Sequence, residues 1–431
     1  MKVVHLSHTD GGAGAGRAAY RIHHSLLSMG VDSTLLVSDK RTSDPTVACD
    51  TGRWTYRWRA RTSEYIEAKT AKVLARDSSM FISPSKFSHF SPTADPRVQA
   101  ADVVSLFWIN GAFISPEGLV GLTQPIVWRL SDIWPFTGGC HYPGSCDHFE
   151  QQCGHCPQLC SPSAHDASHQ LWRRKVKAWQ NLDITIAAPS QWIASLARRS
   201  SLFSQRRVDV IPTGIDLARY RPLDRNEARG RLGIPVDKKV LVFGAMSPED
   251  DIRKGFKELC TALEVLANGT LASQLLAIVF GSQGDLPALP VPAISLGRLD
   301  NDESLAMAYS CADIAVVPSL EDNLPNVALE AMACGTPVAG FDVCGMPDII
   351  RDGWNGILAP QCDATMLGHA IAEVLGNNSL LSQMGINARL HAEARFSVED
   401  QARTYLYLYT ELADNRRPAQ SSRGGAMSNV S

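Results

Sequence analysis

Asp322 and Glu330 stand seven residues apart in the segment 319–335, S-L-E-D-N-L-P-N-V-A-L-E-A-M-A-C-G. The short apolar run before it, Ile314–Val317, reads as a buried parallel strand. Gly335 is a natural helix stop ahead of a second apolar run at 337–340. The order strand, loop, helix, strand places Asp322 in the loop and Glu330 in the helix. Such a loop lies in the crevice beyond the carboxyl ends of the strands, where open α/β sheets take their ligands. Pro325 suits a first helical turn, where a missing N–H costs nothing. The free N–H groups of that turn and the helix dipole suit an anion such as a diphosphate, and the flanking acids suit sugar hydroxyls. The chemistry implied is that of a nucleotide-sugar pocket.

Three further clusters carry chemistry. Arg253-Lys254-Gly255 follows a strand beginning at Val240 and opens a helix over 256–266, so its cations are placed to meet phosphate charge. The loop Asp10-Gly-Gly-Ala-Gly-Ala-Gly16 lies between a strand near Val3 and a helix from about Ala18. There Gly12 and Gly14 let the backbone approach a ligand closely. A dinucleotide site is the rival reading of this loop, with Asp39 as its ribose acid, but the stronger motif lies in the other half, and the loop is read as facing the donor phosphates across a cleft. The third cluster is Cys140, Cys146, Cys153 and Cys156, spaced C-x5-C-x6-C-x2-C, with Cys160 just beyond and His141, His148 and His155 interleaved. Four thiolates suit a tetrahedral structural zinc with no open position for catalysis. Incidental thiols or a disulfide are the alternatives.

The segment 319–335 resembles the E-x7-E signature of retaining glycosyltransferases of family 4, which have the GT-B fold: two Rossmann-like, doubly wound parallel-sheet domains facing a cleft. The resemblance implies that Asp322 contacts the donor sugar and that Glu330 holds the ribose hydroxyls. It implies donor contacts also at Asn323, Leu324 and Asn326, a diphosphate clamp at Arg253 and Lys254, and a base contact at Arg298. The first acid is Asp rather than Glu, and Pro325 replaces a common Gly. The string W-P-F-T-G-G-C-H-Y and the linker I-P-T-G-I-D resemble further family segments. Where the family commonly has histidines, this chain has Ser131 before Asp132 and Ser105 in S-L-F-W. Asp132 is left as an acceptor-binding or polar catalytic group. Retaining transfer can run on one face of the sugar, with the donor phosphate taking the acceptor proton.

The elements that must position these groups alternate along the chain. Strands are expected to begin at Val3, Thr34, Val103, Pro125, Asp183 and Val208, then at Val240, Leu275, Ala293, Asp313 and Pro337, with helices between most of them. This gives an acceptor-side domain over 1–213 and a nucleotide-sugar domain over 214–396. The helix that follows, 397–415, opens on the capping pattern S-V-E-D and carries one apolar stripe of Val398, Ala402, Tyr405, Tyr409 and Leu412. By resemblance it crosses back onto the first domain. The tail from 416 to 431 is too polar and Gly/Ser-rich to pack.

Length and composition set the remaining bounds. A chain of 431 residues, 45% hydrophobic and 20% charged, suits two well-packed domains. A net charge of −3 argues against a nucleic-acid partner. The eleven cysteines suit a reducing cytosol, and no apolar run approaches the roughly 20 residues that span a bilayer. The chain is therefore expected in the cytoplasm, at the inner face of the membrane if residues 53–61 bind there. That stretch interleaves four arginines with three aromatics, a composition suited to an anionic interface or to packing on the first sheet. The expectation is a metal-independent, retaining hexosyltransferase-like enzyme using a UDP- or GDP-type donor and a glycan or lipid-linked acceptor, in bacterial surface polysaccharide assembly. No cofactor beyond the structural zinc is expected, since no D-x-D-type pair sits where a diphosphate-bound cation would need it. A non-catalytic nucleotide-sugar or glycan binder and a UDP-sugar epimerase are the competing functions.

Overall fold

The structure, a computed structural model, describes residues 1–416 except 13, 50–53, 78–79, 245–250, 282–287 and 300. The tail expected to be unpacked, 417–431, and the loop after Gly244 lie outside the described residues.

Two parallel sheets dominate. The first is built from β1 (Lys2–Thr9), β2 (Asp32–Asp39), β3 (Val47–Ala48), β4 (Val103–Leu106), β5 (Ile126–Arg129), β6 (Ile184–Ala188) and β7 (Val208–Val210), in the order β3-β2-β1-β4-β5-β6-β7. The second is built from β8 (Lys239–Gly244), β9 (Leu275–Phe280), β10 (Ala293–Gly297), β11 (Ile314–Val317), β12 (Val338–Phe341) and β13 (Gly356–Ala359), in the order β10-β9-β8-β11-β12-β13. Their central strands are largely apolar and buried along β4, β5, β6, β9, β11 and β12, because helices cover both faces. The expected α/β architecture of two doubly wound sheets is therefore present. Two short strands escape the sequence reading. β3 is a two-residue edge strand, and β13 is four residues set among the turn-forming D-G-W-N-G.

The strand order of each sheet reverses once, between β1 and β4 and between β8 and β11. Ligands bind at such switch points, outside the carboxyl ends of the strands. His8 lies at the carboxyl end of β1 and the glycine loop follows it, Trp108 follows β4, and residues 318–325 follow β11, so these groups lie at the switches.

The helix Val398–Arg416 starts at Ser397, whose Oγ accepts from the Asp400 N–H. Tyr405 and Tyr409, both fully buried, pack it among Val3, Phe107, Val127 and Ala187 of the first sheet. Tyr409 Oη donates to Ser105 Oγ at 2.8 Å, so one of the two expected histidine positions is used to hold this helix. The helix Trp54–Leu74 carries the Arg/aromatic stretch; Arg53 and the side chains of 54, 55 and 57 lie outside the described residues. Tyr56 is half-buried against His89, whereas Trp58 is 62% exposed. Among the described residues no helix is long and apolar enough to cross a membrane.

Candidate active site

The helix Asn326–Ala333 follows Pro325, which occupies the N-cap with extended backbone rather than the first helical position. Leu324 is buried and Asn326 half-buried, and among the described residues the N–H groups of Asn326 and Val327 have no hydrogen-bond partner. Lys254 donates to Asp322 Oδ2 at 2.6 Å, and the carboxylate holds the ammonium above the usual lysine range, so it stays charged at neutral pH. Arg253 is paired with Asp251 and lies 3.8 Å above the Tyr142 ring of the first domain. Gly255, at φ 70°, brings this turn against the Pro318 carbonyl, where a Cβ would clash. Asp322, Lys254 and Arg253 thus converge, with Glu330 one helix turn deeper. Arg298 is exposed after β10.

Glu330 is 2% exposed, and burial pushes its carboxyl above the ordinary glutamate range while Arg21 and Arg17 pull it back. Arg21 Nη2 stands 3.3 Å from Oε1, Arg17 Nη1 3.9 Å from it, and Tyr309 Oη donates to Oε2 at 3.1 Å. Both arginines come from the helix Gly14–Ser28, directly after the glycine loop. A Cβ at Gly14 would come within 3.3 Å of Asn326 Nδ2, and Gly12 takes φ 78° beside Arg41. The glycine loop therefore faces the helix that bears Glu330. The spacing of Arg17 and Arg21, four apart on one helix face, is the signal by which sequence reading would have reached them.

Asn323 is turned to the first domain. Its Oδ1 accepts from Ser190 Oγ at 2.7 Å, and its Nδ2 donates to the carbonyls of Leu130 and Ser131 at 3.3 Å. Asp132 has both oxygens engaged, by the Trp134 N–H at 2.9 Å and by His141 Nδ1 at 2.7 Å. His141 Nε2 in turn meets Ser83 Oγ at 2.8 Å. This buried Asp132–His141–Ser83 chain fixes the loop after β5.

One histidine that sequence reading missed does face the cleft. His8 is the last residue but one of β1, two residues before Asp10, with its ring edge-on to Trp108 at 5.4 Å. Its Nδ1 is buried with no hydrogen-bond partner among the described residues, as is Asn110 Oδ1. Burial lowers its pKa, so the ring is neutral at pH 7. Trp108 stacks parallel to the exposed Phe81 at 6.5 Å, giving an aromatic shelf beside the imidazole.

The four cysteines of the cluster line one small cavity. Among the described residues, no group of three or more His, Cys, Asp or Glu side chains is already drawn together as a metal-holding set.

The paired sheets match solved GT-B glycosyltransferases, and the protein has that fold. Sucrose-phosphate synthase from Thermosynechococcus elongatus superposes with a TM-score of 0.66 at 18% identity, over 96% of this chain and all of that one. Anabaena HepE in complex with UDP and glucose does so with a TM-score of 0.63 at 16% identity, over 95% and 99% of the two chains. WaaG, a glycosyltransferase involved in lipopolysaccharide biosynthesis, gives 0.62 at 16%, over 95% and 99%.

Residues 237–377 match the family described as glycosyl transferases group 1. The D-inositol 3-phosphate glycosyltransferase of Geodermatophilus obscurus is 37% identical over 230 residues, 50% of this chain and 49% of that one. Its counterpart in Nocardia farcinica is 33% identical over 217 residues, 47% of each. The chain spans about half the length of the curated relatives it matches.

Proposed function

We propose that the protein is a retaining glycosyltransferase that moves a sugar from a nucleotide-diphosphate donor to a hydroxyl of a glycan or lipid-linked acceptor. The observation that carries this reading is the buried Glu330, set one helix turn behind the Asp322–Lys254 pair and faced across the cleft by Arg21 and Arg17. Glu330 holds the ribose, the free N–H groups at Asn326 and Val327 meet the diphosphate, and Lys254 with Arg253 offsets the charge that builds on the leaving group. No catalytic metal is needed in this scheme, because these cations supply the positive charge. The bond from the anomeric carbon to the phosphate oxygen breaks, the acceptor oxygen bonds to that carbon on the same face, and the acceptor proton passes to the departing phosphate. His8, neutral and next to the Phe81–Trp108 shelf, orients the acceptor. Asp132 and Asn323 hold the cleft rather than touch the reacting atoms.

A UDP donor is favoured by the likeness to HepE, whose structures hold UDP or UDP-glucose. A role in surface polysaccharide assembly is favoured by the likeness to WaaG. Trp58 and Tyr65, both exposed on one helix with Arg59 and Arg61, support contact with the anionic inner face of the cytoplasmic membrane.

The test is a thermal-shift panel of UDP, GDP, ADP, CMP and dTDP on the wild type and on Glu330→Ala, since a ligand that binds the folded state raises its midpoint. UDP is expected to stabilise the wild type and not the variant. Stabilisation by none of them, at millimolar levels, would overturn the donor site. Release of an epimerised sugar from donor alone would favour the epimerase reading, and nucleotide binding without turnover on any acceptor would favour the binder.

A further inference from the structure

Lys175 is fully buried in the first domain, yet among the described residues it makes no ion pair. Its ammonium donates to the carbonyls of Trp134 and of Thr137, the latter at 2.9 Å, and lies 3.4 Å from the Trp134 ring centroid. An ammonium taken out of water needs an anion nearby, and carbonyl contacts alone do not neutralise it. Burial pushes the Lys175 amine well below the ordinary lysine range, Cys153, Cys140 and Asp132 pull it back, and Asp132 is engaged by His141. The remaining source of negative charge is sulfur.

Cys140, Cys146, Cys153 and Cys156 line a single cavity of about 20 Å³, room for one small ion. The Gly138 N–H donates to Cys153 Sγ at 3.1 Å, the kind of contact that supports charge on sulfur. A Cβ on Gly138 would come within 2.7 Å of Cys153 Cβ. In the turn C-G-H-C, Gly154 takes φ 150° and His155 φ 47°, a left-handed backbone that a histidine rarely adopts without a reason. The neighbouring groups are otherwise employed: Cys160 Sγ donates to the Ala75 carbonyl, and His148 Nδ1 pairs with the Gly154 carbonyl.

We propose that Cys140, Cys146, Cys153 and Cys156 bind one zinc ion, and that Lys175 is the buried counter-charge of the centre they form. Four S–H bonds break, four Zn–S bonds form and four protons leave to solvent, so the centre carries two negative charges beside one ammonium. As placed, the sulfurs line the cavity without standing at ligand distances, so binding draws them inward around it. The site is structural, with all four positions filled by protein. Its loop also carries Tyr142, under Arg253, and Gly144, whose N–H donates to Glu321 Oε1 at 3.2 Å. Zinc would thus hold the wall of the first domain against the donor side of the second. The proposal does not depend on the transferase reading.

The full chain purified without added metal is expected to hold about one zinc by elemental mass spectrometry. Cobalt titrated into the metal-free chain is expected to give thiolate-to-cobalt charge-transfer bands and tetrahedral d–d bands. Cys160→Ser should leave the stoichiometry unchanged, Cys153→Ser should lower it, and Lys175→Met should weaken zinc binding about tenfold. A folded, metal-free wild-type chain that gives no thiolate–cobalt spectrum would overturn the proposal, without reference to any variant. So would a disulfide among the four cysteines in the intact-mass spectrum.

Discussion

Arg21 reaches across the cleft to Glu330, its Nη2 3.3 Å from the buried Oε1. The carboxylate expected to hold a ribose is thus already charge-balanced by the opposite domain. Arg21 Nη1 is buried with no partner among the described residues, leaving a donor unspent beside the acid. A nucleotide entering here meets a preformed acid–cation pair, which fixes the acid's orientation before binding.

Glu330→Gln keeps the shape and removes the charge. A hydrogen bond to a charged group contributes about 1.5–3 kcal/mol, so UDP affinity is expected to fall roughly 10–100-fold by calorimetry. Acidification should do the same. Because burial raises this carboxyl, wild-type affinity should drop as pH falls through a range above the ordinary glutamate value of about 4.3. The stability effect has the opposite sign. Between the unfolded and the raised folded value the native state holds more protons on this group, so stability declines as pH rises through that window. Glu330→Gln should flatten both dependences, and an unchanged UDP pH profile in the variant would remove Glu330 from the ribose.

Lys254 is held charged by Asp322 at 2.6 Å, so its loss acts on the leaving group more than on ground-state binding. Lys254→Met is expected to lower kcat about a hundredfold, the cost of removing one preorganised donor from a developing anion. Lys254→Arg should recover part of the rate. Equal rates for wild type and Lys254→Met would take the ammonium out of the mechanism.

His8 is expected to act on the acceptor side alone. His8→Ala should leave UDP affinity unchanged and lower transfer about fivefold, the effect of losing one net hydrogen bond of about 1 kcal/mol. Since burial lowers the pKa of the imidazole, the ring should stay neutral, and the wild-type rate level, to a pH below the usual histidine range. A matching loss of UDP affinity in His8→Ala would place the residue on the donor instead.

Arg229 and Asp313 form an ion pair at 2.8 Å with both side chains buried, and Asp313 Oδ2 also accepts the Val240 N–H at the start of β8. Arg229→Met leaves that carboxylate with only the half-exposed Arg225. Breaking a buried pair from one side costs about 3–5 kcal/mol, to be read from denaturant unfolding. A loss under about 1 kcal/mol would show that Arg225 alone compensates.

Much of the architecture was legible because long apolar runs and turn residues report local structure directly. Eleven of the thirteen strands announce themselves this way, and the strand–loop–helix around Asp322 and Glu330 is a local pattern. What stayed hidden is non-local. Nothing near Ser105 says that Tyr409, some three hundred positions later, will take its hydroxyl. Nothing near Glu330 names Arg21 as its partner. Nothing near Asp132 says that His141 will pair with one of its oxygens, because that pairing depends on how the Cys140 loop folds back.

Asn323 shows the same limit and gives the sharpest test of the cleft. Family resemblance implies donor contact, but its three polar contacts join β11's loop to Ser190, Leu130 and Ser131 of the first domain. With the residue 5% exposed, Asn323→Ala leaves buried groups unpaired on the opposite wall, at a cost of about 1–3 kcal/mol. The domains are then tied by the Gln191 N–H to Asp348 at 2.6 Å, by Gly144 to Glu321, by Arg21 to Glu330 and by Arg253 over Tyr142. The variant is expected to show a larger radius of gyration in X-ray scattering and a higher KM for the donor, because the two walls of the site no longer hold their spacing. Saturating UDP should restore part of the compact form by binding both walls at once. An unchanged radius together with lost UDP affinity would instead return Asn323 to the donor itself.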